Sequence, residues 1–205
     1  MTEISEQKTP LQASAAIVLV QDSAQGLQVL LGRRSLTTPV ASGMWVFPGG
    51  GLTSAERSLG ETGYRLAAIR ELAEEVPDNP WKGDANDLLA LGQWHTPEFL
   101  SKRFDTRFYL AVAGYGPLKA DGYELINVIW SQPALALRDC ISSMMFPTAA
   151  ILAWLAAYHD VAGVLYALAE GPLPVVCPRL TEESGEQWLE IDAPQYPLRR
   201  WRVSR

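Results

Sequence analysis

The chain is read as an α/β protein, an α/β/α sandwich around a mixed central sheet, on three observations. Short β-rich apolar runs recur through the first two thirds, helical stretches fall between and after them, and compact Gly/Pro/Asp turns separate the two kinds. Ala15 to Val20 and Leu27 to Leu31 are apolar runs joined by Asp22-Ser23-Ala24-Gln25-Gly26, which predicts a hairpin. Met44 to Phe47 continues the sheet and enters a glycine cluster, Gly49-Gly50-Gly51. Thr62 as N-cap predicts a helix reaching Val76, because Pro77 disfavours helical geometry at the residue before it. Tyr64, Leu66, Ala68, Ile69 and Leu72 supply its buried side, and the acids its polar side. Leu88 to Trp94, Arg103 to Ala113 and Leu125 to Trp130 read as further strands. Pro147 and Thr148 open a long apolar helix to about Glu170, closed by Gly171-Pro172. The Pro-rich remainder, ending in Arg199, Arg200, Arg202 and Arg205, is expected to pack on the domain.

With 205 residues, 48% hydrophobic and 20% charged, the chain can bury one substantial core, so residues 13–205 are expected to form one domain behind a frayed tail, residues 1–12. A net charge of −6 argues against a broad nucleic-acid surface, which needs clustered Lys and Arg. Cys140 and Cys177 stand in no metal-ligand spacing, and no apolar leader or membrane span is legible. A soluble protein of the reducing cytoplasm, without nucleic-acid or membrane partners, is the expectation. Of the seven tryptophans, Trp45, Trp94, Trp130 and Trp154 lie in predicted elements and are expected mostly in the core.

Arg70-Glu71-Leu72-Ala73-Glu74-Glu75 is the segment richest in chemistry. Glu71, Glu74 and Glu75 stand at i, i+3 and i+4, so the three carboxylates share one side of the helix. Glu74 and Glu75 also sit at the negative end of the helix dipole, an arrangement that helix electrostatics opposes. A divalent cation with hard oxygen ligands, Mg²⁺ or Mn²⁺, relieves it. Clustered carboxylates raise one another's pKa, so metal loading and ionisation are expected to be coupled, and activity to rise with pH.

The order strand, glycine loop, acidic helix resembles the Nudix hydrolases, whose signature runs Gly, five residues, Glu, seven residues, Arg-Glu-aliphatic-x-Glu-Glu-x-Gly-aliphatic. Gly50 and Glu56 satisfy the first spacing, whereas thirteen residues separate Glu56 from Arg70, as if six were inserted. Pro77-Asp78 replaces the terminal Gly-aliphatic pair. The resemblance implies that Glu74 and Glu75 ligate the metal with the Gly49 carbonyl. Glu71 is then a third ligand or the base that orients water, and Arg70 braces the loop through Glu56 or Glu61. A later acid, Glu124, is a candidate additional ligand. Catalytic work is thus assigned to Glu71, Arg70 and Glu74.

Leu30 to Ser35, then Gly43 and Phe47-Pro48-Gly49-Gly50, resembles the coenzyme A diphosphatase branch, although Gly32 and Pro39 stand where that branch has Thr and Arg. Trp94 to Glu98, Arg103 to Tyr109, Trp130, Pro133 and Met145 to Thr148 extend the similarity. Arg33 and Arg34 flank the site, and Arg103 and Arg107 are candidate phosphate clamps, with an Asp105–Arg107 pairing as the structural alternative. Phe104, Thr106 and Phe108 share one strand face; Asp105, Arg107 and Tyr109 share the other. His95, beside a Thr-Pro turn, is expected to be structural. The resemblance implies metal-dependent hydrolysis of a nucleoside diphosphate linked to another group X, with coenzyme A or acyl-coenzyme A first. ADP-ribose, NADH and dinucleoside polyphosphates are rivals, as is a non-catalytic ligand-binding module. A homodimer is compatible with the family.

Overall fold

A computed structural model describes residues 9–203. Strand β1 (Gln12–Ser23) and strand β2 (Gly26–Arg34) form the expected hairpin, with Ser23 opposite Gly26 across a two-residue turn. Gly26 takes a φ of 103°, which an L side chain avoids. Strand β3 (Trp45–Val46) pairs with β2, and strand β4 (Gly49–Gly51) pairs with β1. Helices α1 (Ser54–Arg57) and α2 (Glu61–Glu75) follow. Strands β5 (Leu89–His95), β6 (Phe104–Val112) and β7 (Leu125–Ser131) complete most of the sheet. Helices α3 (Pro133–Cys140), α4 (Phe146–Leu155) and α5 (Val161–Ala169) come next. Strand β8 (Val175–Val176) joins the edge beside β5, and strands β9 (Arg179–Glu183), β10 (Glu186–Glu190) and β11 (Arg200–Arg202) make a separate antiparallel meander.

The main sheet runs β3-β2-β1-β6-β5-β8 and is mixed: β1 and β6 are parallel, as are β5 and β8, while the other pairs are antiparallel. Alternation along β1 divides the core. Ala15, Ile17 and Leu19 pack with Ala67, Ala68 and Leu72 of α2, whereas Val18 and Val20 pack with Ala149, Ala150 and Ile151 of α4. Each fully buried aliphatic side chain contributes roughly 1.5–3 kcal/mol, so both helical layers are held by the same strand. The α/β/α sandwich follows from that two-sided burial. Among the described residues, no helix is long and apolar enough to cross a membrane.

Several expectations are corrected. The expected tail of residues 1–12 lies outside the described residues over its first eight; Gln12 already belongs to β1, its N–H donating to Arg103 O at 2.9 Å. Helix α2 starts at Glu61, with Gly60 rather than Thr62 at the cap and no side-chain cap bond. The side-chain cap belongs to α1: Thr53 and Glu56 form a reciprocal capping box. Leu66 is exposed, while Glu71 and Glu75 are buried, so part of the acidic side turns inward. The long apolar helix is two helices, because Asp160 caps α5 by accepting from Gly163 N at 2.8 Å and Asp22 takes the Val161 N–H at 2.8 Å. The β1–β2 turn docks on that break. Helix α3, opened by Pro133, was not anticipated. Trp45, Trp94 and Trp154 are buried and Trp130 partly so. The Pro-rich remainder does pack on the domain: Trp94 Nε1 donates to Tyr196 at 3.0 Å, and Trp201 stacks on Phe146.

Candidate active site

Arg70 is the centre of a hub of five hydrogen bonds to four partners between α2 and the glycine loop. Its guanidinium holds Glu56 in two bonds, Nε to Oε1 at 2.9 Å and Nη2 to Oε2 at 3.2 Å. It also donates to Gly51 O at 2.9 Å, to Glu71 at 2.8 Å and to Glu74 at 3.1 Å. A planar fork with five donors suits this task where an ammonium would not. Arg70's bonds hold the Glu56 carboxyl down at about 2, helped by the Thr53 backbone N–H. Glu56, not Glu61, is therefore the side chain that Arg70 braces.

Glu71 and Glu75, one turn apart, point at the glycine loop. A Cβ on Gly50 would sit 2.4 Å from the Glu71 carboxyl carbon, and one on Gly49 would sit 2.4 Å from Ala15 O. Glycine is required at both positions because the helix acids and strand β1 occupy the space a side chain would take. Gly49 N donates to Glu75 Oε2 at 2.9 Å, so the contact between that glycine and the acids runs through its N–H. Glu75 Oε1 is buried and accepts no hydrogen bond; Arg34 Nη1 lies 3.5 Å away. Burial pushes the Glu75 carboxyl up to about 8 and raises Glu71 as well, with Glu124 adding repulsion to both.

Glu124 reaches this place through a turn ordered by Asp121. The Asp121 carboxylate accepts from the backbone N–H groups of Tyr123, Glu124 and Leu125, and its own N–H donates to Glu75 O, tying the turn to the end of α2. Arg34 then bridges Glu75 and Glu124, each at 3.5 Å. Among the described residues, no three His, Cys, Asp or Glu side chains converge as a ready metal cage. The acids are held by Arg34 and Arg70 instead. Their chemistry still fits a hard divalent cation: all donors are oxygens, and the buried, unbonded Glu75 Oε1 is the atom a cation would satisfy.

These groups open onto a cleft of about 610 Å³ that includes Arg34, the three loop glycines, Glu71 and Glu124. Phe104, Thr106 and Phe108 of β6 line it, together with Val46, Phe47 and Trp94. A charged rim beside an apolar hollow is the usual form of a small-molecule site.

Of the sequence-predicted residues, the fold brings together Arg70, Glu71, Glu74, Glu75, Glu56, Gly49, Glu124 and Arg34. It leaves four apart. Arg33 is exposed and donates a long 3.4 Å bond to Gly43 O, away from the acids. Arg103 is buried against backbone, donating to Thr96 O and Thr9 O. Arg107 lies behind the sheet, paired with Glu61 and 3.8 Å over the Tyr64 ring. Glu61 serves that second cluster, accepting from Tyr109 at 2.9 Å and facing Arg65 at 3.3 Å. The β6 face carrying Asp105, Arg107 and Tyr109 is thus the helix side. Asp105 does not pair with Arg107; it accepts from Tyr64 and Gln93 and lies 3.4 Å from His95. His95 joins that network and also borders the cleft. Sequence reasoning missed Thr53 and Asp121, although Thr53-Ser54-Ala55-Glu56 and Asp121-Gly122 carry the capping-box and turn signals.

The NUDIX domain model matches residues 10–139, well over half of the chain. The chain belongs to the Nudix family. No curated protein matches it. A NUDIX hydrolase from Alicyclobacillus acidocaldarius has a similar solved fold, with a TM-score of 0.64 and 23% identity, over 77% of this chain and 96% of that one. A C. elegans Ap4A hydrolase binary complex gives 0.53 and 18% identity, covering 78% and 99%. A bifunctional NMN adenylyltransferase/ADP ribose pyrophosphatase from Francisella tularensis, complexed with AMP and a Mn ion, gives 0.52 and 17%, covering 80% and 42%. At these identities the structures speak for the fold. This Nudix hydrolase therefore carries its signature arginine and glutamates on α2, against the loop of three glycines.

Proposed function

We propose that this Nudix hydrolase cleaves, with Mg²⁺ or Mn²⁺, the diphosphate bond of a nucleoside diphosphate linked to X, and that coenzyme A or an acyl-coenzyme A is its first substrate. The observation that carries the reading is the buried, unbonded Glu75 Oε1 at the glycine loop, whose Gly49, Gly50 and Gly51 line the cleft together with Glu71. Glu75, Glu71, Glu74 and Glu124 would hold the cation with the Gly49 carbonyl, and Arg70 with Glu56 holds the loop and helix together. When bound, the cation neutralises diphosphate charge and acidifies a water. Glu71, raised by burial and held by Arg70 at 2.8 Å, would serve as a third ligand or as the base that orients the water. Arg34 supplies a cation at the rim for a phosphate oxygen once the acids have their metal.

The coenzyme reading rests on the Leu30–Gly50 resemblance and on the apolar character of the cleft. The two departures fit this packing: a side chain at Gly32 would begin 2.4 Å from Leu125, and Pro39 borders the cleft as an apolar surface. The extra residues between Glu56 and Arg70 form the end of α1 and the first turns of α2, which we read as the inserted segment. Product formation from coenzyme A, ADP-ribose, NADH and diadenosine polyphosphates, with Mg²⁺, Mn²⁺ or chelator, tests the proposal. Metal-dependent release of adenosine 3′,5′-bisphosphate from coenzyme A is expected. Preference for another member overturns the substrate, and ligand binding with no turnover of any member overturns catalysis in favour of a binding module.

A further inference from the structure

The family match ends at residue 139, yet the cleft continues beyond it: Met144, Met145, Phe146, Pro178, Leu189 and Trp201 all line its wall. This wall comes from the turn before α4, the start of α4, the meander and the residue Pro178 that leads into it. What it offers a ligand is restricted. Phe146 stacks on Trp201 with centroids 5.7 Å apart and 15° between planes, and meets Trp94 edge-on. Phe47 and Phe108 meet edge-on, and Lys102 lies 5.6 Å over the Phe104 ring. Each of these rings already has an aromatic or cationic neighbour. Three of the lining hydroxyls are engaged too: Ser14 and Thr106 bond each other at 2.6 Å, and Thr96 Oγ1 accepts from Phe104 N at 3.0 Å.

A purine or nicotinamide ring is recognised by a free aromatic face and by hydrogen bonds along its edge. A chain of methylenes asks for neither. It needs aliphatic surface and space, and Met145 and Leu100, each 41% exposed, present such side chains in the cleft that Leu189 and Pro178 also line. Met is well suited to a chain of variable length, being unbranched and flexible. Resting on the diphosphate-hydrolase reading above, we propose that the segment after residue 139 forms a subsite for an unbranched aliphatic chain carried by X, and that Met145 and Leu189 set the preference for chain length.

The test is kcat/KM with Mg²⁺ for coenzyme A and its acetyl, butyryl, hexanoyl and octanoyl thioesters, on the full chain, followed by Met145→Asp and Leu189→Asp. Each methylene buried is worth up to about fourfold, so a rise of at least tenfold from acetyl to octanoyl is expected, flattened in both variants. Circular dichroism verifies that each variant is folded, and either one suffices. A flat series with clear turnover overturns the subsite and leaves diphosphate hydrolysis standing. If no thioester is cleaved, the coenzyme reading fails, and the subsite is decided by calorimetric titration of decanoate. Micromolar binding lost in the variants supports it; absence of binding by the wild-type protein overturns it.

Discussion

Helix α2 carries two arginine–glutamate clusters that look alike in a list of charges and do different work. Near its C-terminal end, Arg70 gathers Glu56, Glu71, Glu74 and Gly51 O. Near its N-terminal end, Glu61 gathers Arg107, Tyr109 and Arg65, with Tyr64 under the Arg107 guanidinium. Both tie the helix to its surroundings. Only the first lies against glycines, and there the missing side chains let carboxylates reach the cleft. The second lies on the helix side of β6, where the Tyr64 and Tyr109 rings close the space and burial raises both phenols. The proposed function thus assigns chemistry to the ion-pair cluster that faces a side-chain-free stretch of backbone, which a ligand can approach.

The contrast can be broken most forcefully at Glu75. Glu75→Gln keeps the shape and the Gly49 contact but removes the charge a cation needs, so kcat/KM with Mg²⁺ should fall by about 10³-fold or more. The variant's thermal midpoint without metal should hold or rise, because a buried carboxylate has been neutralised. Next comes Arg70→Ala, which leaves four acceptors without their donor. Loss of about 2–4 kcal/mol in chemical denaturation, together with loss of turnover, is expected. On the other cluster, Arg107→Met should lower the thermal midpoint by a few degrees, about 1–2 kcal/mol, while kcat/KM stays within about threefold of wild type. Equal kinetic losses from Arg107→Met and Arg70→Ala would erase the distinction between the clusters.

Proton linkage separates them further. Glu56 is held at about 2 in the folded protein and returns to about 4.5 on unfolding. Its contribution is complete above about pH 4.5 and is lost as pH falls towards 2. Urea denaturation between pH 5 and 3 should show a loss of about 2 kcal/mol that Glu56→Gln largely removes. Glu75 has the opposite sign. Its folded value near 8 means that the metal-free protein is destabilised as pH rises from about 4.5 through 8, and added Mg²⁺ should restore more stability at pH 8 than at pH 6. The smallest effect tests the fold alone: Asp160→Ala removes the α5 cap and should cost about 1 kcal/mol without touching turnover.

Much of this was legible in the residues themselves. The β1–β2 hairpin, the three later strands and the acidic helix follow from apolar period and turn chemistry, and spacing alone put Glu71 and Glu75 on one side. The choice between Glu56 and Glu61 was not legible, because it depends on which way the chain turns at Gly60, a glycine with φ 57°. Arg103 and Arg107 looked like phosphate clamps since sequence shows charge and strand period, not which sheet face a helix covers. The break at Asp160 was hidden by continuous apolar composition. Its cause is tertiary, the docking of Asp22 onto the Val161 N–H. The Met145–Leu189–Trp201 wall joins residues far apart in the chain, which no local pattern announces.

Calorimetric titration of Mg²⁺ into the wild-type protein, Glu75→Gln and Glu61→Gln, all at pH 8, tests the central claim most directly. Glu61→Gln should bind the cation as the wild type does, and Glu75→Gln at least about 30-fold more weakly, the size expected when one buried charged ligand is removed. Equal binding by all three, or a loss confined to Glu61→Gln, would contradict the assignment of the site to the glycine-facing end of α2.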